Sequence, residues 1–274
     1  MSLGIVIKGP EGLVLAAESR VTITARMPDG TMVPVNFDNA RKLLKFQKPH
    51  NYVGAVTYGL GGIGLRTAYS FLSEFEASLP NERLKVEEYA DRMSKFFMQR
   101  WTDASPPPPP TGMPPQNITF VVGGFDKKQP YGEVYIMDIP TSPTPKKQHE
   151  GIYFGITWGG QREIVDRLLR GYDERIIGIV QKMFSLNQTQ TENLVSNFNQ
   201  LILQIPIQFL SLQDSVDLAL LFIRTTIETQ KLTTGIRGCG GPIDVATITG
   251  EGFKVVQEKE IRGEYPAFLR EKFS

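Results

Sequence analysis

The sequence predicts an α+β fold, a four-layer αββα sandwich in which two packed sheets carry helices on both outer faces. Three observations predict it. Element signals run in the order strands, helix pair, strands, helices, strands. An apolar hairpin begins almost at the first residue, where most chains are loose unless a strand ties them down. No repeat or linker divides the 274 residues, which fit one domain over positions 1–274.

Gly4–Lys8 and Gly12–Ala17 flank the Gly/Pro turn Gly9-Pro-Glu-Gly12 and read as that hairpin. Further strand signals lie at Val21–Arg26, Thr31–Asn36, Leu43–Phe46 and Val53–Thr57, with Asp29-Gly30 suited to a tight reversal. The glycine-rich run Gly59–Gly64 leads into a helical pattern whose apolar set is Leu65, Ala68, Phe71, Leu72 and Phe75. A second helix is expected over Val86–Trp101. A proline-rich loop at about 102–116 follows, with Pro106–Pro110 consecutive, which favours polyproline II. Such a run is a solvated loop or a docking segment for an aromatic-lined groove.

Strands resume at Asn117–Phe125 and Tyr131–Ile139, and a polar loop with Pro140, Pro143 and Pro145 comes next. Gly151–Trp158 reads as a strand turning at Gly159-Gly160, and Gln161–Leu186 as one long amphipathic helix. A helix over Glu192–Gln204, a capping box Ser211–Asp214 before Val216–Gln230, and strands at Pro242–Thr249 and Gly252–Gln257 complete the chain.

Composition excludes several classes. Thirty basic and twenty-nine acidic residues give a net charge of +1, which leaves no electrostatic footprint for nucleic acid or an anionic membrane. One cysteine, Cys239, rules out an internal disulfide, and with only His50 and His149 beside it no zinc site is expected. Asp126, Asp138 and Asp244 are scattered along the chain and read as turn caps rather than a cluster for a hard cation. The start has neither a basic n-region nor a long apolar run, and no stretch of about 18 apolar residues occurs, so no leader, membrane span, metal or cofactor is expected and a cytoplasmic location is.

Five pieces in order resemble the proteasome family of N-terminal-nucleophile hydrolases. They are Gly4–Lys8 with Gly12–Arg20, Arg41–Phe46, Val53–Leu60, Val121–Asp126 with Val134–Asp138, and Gly240–Thr249. The resemblance implies the αββα sandwich, a homo-oligomeric ring and polypeptide substrates. It leaves any ATPase or other regulator unspecified.

It also implies the site residues. A terminal Thr, Ser or Cys attacks a peptide carbonyl while its own α-amino group, with a reference pKa near 8, takes the proton. Ser2 becomes terminal if Met1 is removed. Aligned backward from Gly12, Ser2 falls on the nucleophile; aligned by Gly4, no residue does, and Ser2 is then an ordinary second residue. Lys42 matches the site lysine, with a surface lysine as the alternative. Glu18 stands where catalytic members carry aspartate, and reads either as catalytic or as half of a pair supporting the fold. Gly59 offers an N–H to the oxyanion or merely makes the turn. Where active members hold a serine, an aspartate and a serine, this chain has Trp158, Ile236 and Cys239, and Cys239 reads as a small buried hydrophobe. Three functions are therefore expected: an active ring-forming peptidase, a catalytically silent ring subunit, or a stand-alone amidase. The near-neutral charge and the apolar Gln161–Leu186 segment suit self-association and are compatible with a monomer as well.

Overall fold

The computed structural model describes residues 2–106, 115–235 and 237–261. The sequence readings at Pro107–Pro110, at Ile236 and at the amino group of Met1 fall outside them. The chain is a mixed α/β protein whose sheets are antiparallel throughout.

The first hairpin forms as its apolar runs dictate: β1 (Leu3–Lys8) pairs with β2 (Leu13–Glu18). Every residue of both strands is buried. An uninterrupted apolar run, rather than an alternating one, is what a strand covered on both faces needs. Beyond Glu18 the chain leaves the sheet and makes a separate two-stranded ribbon, β3 (Val21–Arg26) and β4 (Met32–Phe37), with Ile23, Met32 and Phe37 exposed. Then β5 (Leu43–Lys45) and β6 (Val53–Gly59) open the second sheet.

The expected helix at Leu65 starts later. Ile63 and Arg66 form an isolated bridge, Leu65 is fully exposed, and a 3-10 turn at Ala68–Phe71 leads into α1 (Leu72–Ala77). Next, α2 (Val86–Ala104) runs three residues past the predicted end, into the segment read as loop, and buries Val86, Tyr89, Ala90, Met93 and Phe97. After β7 (Ile118–Gly124) and β8 (Glu133–Ile139), the segment read as a proline loop is instead a strand, β9 (Ser142–Gln148). It pairs only with β8, and an edge strand tolerates Pro143 and Pro145 because no second neighbour requires their missing N–H.

The next strand also differs: β10 (Gly155–Gly160) includes the two glycines read as a turn. The long helix predicted over Gln161–Leu186 is two helices, α3 (Glu163–Arg170) and α4 (Arg175–Phe184). Gly171 at φ 78° caps the first in the left-handed region, and the Asp173 carboxylate accepts the Arg175 N–H to start the second. α4 buries no residue, so its apolar periodicity serves no core of this chain. α5 (Gln188–Phe198) starts at an Asn187–Gln190 capping box, earlier than predicted, and α6 (Leu212–Leu232) starts at the predicted Ser211–Asp214 box. β11 (Ile243–Thr249) and β12 (Gly252–Gln257) finish the order.

One sheet has the order β10-β1-β2-β11-β12 and the other β5-β6-β7-β8-β9. Val6, Leu13, Leu15, Val56, Val121 and Ile248 belong to one apolar cluster drawn from both sheets. A second cluster joins β5–β8 to α1 and α2, and a third joins β1, β2 and β11 to α3 and α6. This layering brings the start of β1, the end of β2 and the approach to β5 to one place.

Candidate active site

Ser2 precedes β1 and is 2% exposed. Its carbonyl accepts the Gln161 N–H at 2.6 Å, which continues the β1–β10 ladder by one bond. Gly160, at φ 94°, lies so close that a Cβ there would sit 1.8 Å from the Ser2 carbonyl oxygen, so only glycine fits. A Cβ on Gly159 would likewise meet the Tyr58 hydroxyl at 2.4 Å. The Tyr58 ring thus lies across the two glycines that seat Ser2.

Lys42 comes from the facing sheet. Its carbonyl accepts the Thr57 N–H at 2.9 Å, which fixes the residue just ahead of β5. Its Nζ donates to Ser2 Oγ at 2.8 Å, to Glu18 Oε1 and to the Arg20 carbonyl. An ammonium has three donors and no acceptor, and here each N–H has its oxygen. Burial pushes Lys42 below the ordinary lysine value, while the Glu18 carboxylate pulls against that shift.

Glu18 is fully buried and its carboxylate is saturated. Oε1 accepts from Leu3 N at 3.2 Å as well as from Lys42, and Oε2 accepts from Arg20 N at 2.7 Å and Gly240 N at 3.0 Å. Its reach ties the first strand, the turn after β2 and the loop before β11 to Lys42. The three candidates Ser2, Glu18 and Lys42 therefore form one hydrogen-bonded cluster. Gly59 lies at the end of β6, where at φ 92° a Cβ would sit 2.2 Å from the Asn117 carbonyl oxygen, so the close approach of the neighbouring strand requires glycine there. The pocket beside Ser2 is bordered by Lys42, Val21, Thr57, Tyr58 and Gly61, and not by Gly59.

Cys239 is buried among the apolar residues under α6, and burial, then the Glu18 charge, pushes its thiol up. Trp158 packs against the same cluster and donates from Nε1 to Asp166 at 2.9 Å. Asp126, Asp138 and Asp244 each accept from their own partners, the Val86 N–H, the Thr119 hydroxyl and Lys259. Among the described residues no group of three His, Cys, Asp or Glu could hold a metal ion.

Sequence reasoning missed several supports. Gln230 on α6 donates to Gln161 Oε1 at 2.8 Å and accepts the Cys239 N–H at 2.9 Å, which links the two loops that meet Ser2 and Glu18. Arg20 makes a two-point bond to Asp38 and lies against Gly240. The Gly159-Gly160 pair carried a signal, since paired glycines also mark close backbone approach, but Tyr58, Gln161 and Gln230 had none.

No family model matches the sequence, and no curated protein matches it. Solved structures do. One is a Gly-1 mutant of Anbu from Hyphomicrobium sp. strain MC1, matched with a TM-score of 0.55 and 14% identity over 99% of this chain and 91% of that one. Membership in the proteasome family, implied by the five ordered pieces, is thereby corrected: the sequence matches no family, and what is shown is a fold like that of Anbu. No described helix is long and apolar enough to cross a membrane.

Proposed function

We propose that this chain is a serine-type amide-bond hydrolase that works from its own amino terminus, folded as an αββα sandwich and assembled with copies of itself into a ring-shaped proteolytic particle. The observation that carries the reading is the buried Lys42 ammonium 2.8 Å from Ser2 Oγ. With Met1 removed, Ser2 bears a free α-amine whose reference pKa near 8 suits proton acceptance at neutral pH. That amine takes the hydroxyl proton as Oγ attacks the peptide carbonyl. Lys42, already donating to Oγ, stabilises the developing negative charge there, and Glu18 keeps Lys42 charged and aimed. The peptide C–N bond breaks, the leaving amine takes the proton, and a Ser2 ester remains. Water, deprotonated by the same amine, attacks the ester and returns Oγ–H. Gly61 in the turn after β6 borders the pocket, where its N–H is a candidate partner for the oxyanion.

A catalytically silent ring subunit is the second reading. The observation that favours it is the burial of Ser2, 2% exposed beside a narrow pocket. Intact mass and peptide turnover separate the two. Active enzyme lacks Met1 and cleaves peptide substrates, and Lys42→Ala abolishes that cleavage. Retained methionine, or turnover unchanged in Lys42→Ala, contradicts the catalytic reading.

A further inference from the structure

A second buried ion pair lies one residue from Glu18, and the proposed chemistry does not use it. Lys259, two residues past β12, donates from Nζ to the Asp244 carboxylate and to Ser19 Oγ at 2.9 Å, and its backbone N–H returns to Asp244 Oδ1 at 2.9 Å. The two side chains are 7% and 3% exposed. Ser19 is fully buried and joins three segments: its N–H donates to the Gly240 carbonyl at 3.0 Å, its carbonyl accepts the Ala40 N–H at 2.9 Å, and its hydroxyl meets Lys259. Gly240 in turn holds Glu18, and Ala40 leads into Lys42. The adjacent Glu258 pairs with Arg41 at 3.1 Å and Lys45 at 3.2 Å, on either side of Lys42 in the chain. The segment after β12 therefore grips both strands that carry the buried Glu18–Lys42 pair.

We propose that Lys259 is a positioning residue for Ser2 and Lys42: paired with Asp244 it fixes Ser19, and its charge faces that of Lys42. The inference rests on the catalytic reading above. Lys42 is faced by Glu18 at the end of β2, the Arg20 carbonyl, Asp38 after the ribbon, the Ser2 hydroxyl, Cys239 before β11, and Lys259 after β12, itself paired with Asp244. Among these, Lys259 adds like-charge repulsion to the burial that lowers Lys42, so its loss raises the pH at which Lys42 gives up its proton.

The test is the rate at which a β-lactone acylates Ser2, measured across about pH 6 to 10 for wild type, Lys259→Arg, Lys259→Met and the double variant Lys259→Met/Asp244→Leu. The double variant leaves no buried unpaired charge and so keeps the fold testable where the single one unfolds. Labelling in both methionine variants slows by roughly tenfold, the alkaline fall moves to higher pH in Lys259→Met, where the cation alone is lost, and stays near the wild-type position in the double variant, where both charges go, while Lys259→Arg keeps the wild-type rate. A wild-type labelling rate in the double variant overturns the inference alone. Absence of label on wild-type Ser2 overturns the catalytic reading and this inference with it.

Discussion

Three N–H groups of Lys42 meet three oxygens, and four donors meet the two oxygens of Glu18, so each substitution in this cluster has a defined consequence. Removing one partner of a buried ion pair ordinarily costs about 3–5 kcal/mol, because the other charge is left alone. Glu18 keeps three backbone N–H donors without Lys42, so Lys42→Met folds with a smaller loss while peptide cleavage falls to background; thermal melting and turnover measure the two separately. Glu18→Gln behaves oppositely. In either amide orientation its NH₂ faces a donor pair it cannot accept from, and the variant loses roughly 3 kcal/mol by chemical denaturation together with activity. Gly160→Ala places a methyl on the Ser2 carbonyl and displaces the nucleophile, so activity drops by roughly 100-fold. The pH profile of the wild type follows from two protons: activity rises as the Ser2 α-amine, with a reference pKa near 8, becomes free base. It falls as Lys42 loses its proton, below the usual lysine range because burial disfavours the charge. A bell-shaped rate curve with its alkaline limb below the ordinary lysine value is the expected record.

The elements that hold the site are those whose local rules are strongest. Ser211→Ala removes the side-chain acceptor for Asp214 N at the head of α6, and costs about 1 kcal/mol by thermal melting without changing the site directly. The capping box, the first hairpin, and the last hairpin were all legible in the sequence, because each is specified by neighbours within a few residues. The pairing of Ser2 with Lys42 was legible only as a resemblance, since 40 residues separate them and the contact forms between two different sheets. What stayed illegible depended on tertiary context. Gly159 and Gly160 carry the same letters whether they turn a chain or let Tyr58 and Ser2 approach, and Gly171 interrupts an apolar period that otherwise runs on into α4. β9 contains two prolines and is still a strand, because the edge of a sheet asks less of each N–H.

At the scale of the whole molecule, the candidate site lies where the two large sheets meet, and each sheet supplies one half of it. Ser2 and Glu18 belong to one, Lys42 to the approach of the other, and the segment after β12 closes over both. α4 and α5 bury none of their residues, and Ile179, Met183 and Phe184 are exposed, which suits a chain that meets copies of itself. Sedimentation of the purified protein is expected to show a particle of several subunits, and a monomer at all concentrations would remove the ring from the account. The claim on which everything else rests is that Ser2, with a free amine, is a nucleophile activated by Lys42. Peptide mapping by mass spectrometry after treatment with a β-lactone or epoxyketone tests it most directly. The account predicts one adduct, on an amino-terminal Ser2, absent from Ser2→Ala and from Lys42→Met. An adduct on Cys239 that survives Ser2→Ala, or an unmodified Ser2 still preceded by methionine, would contradict it.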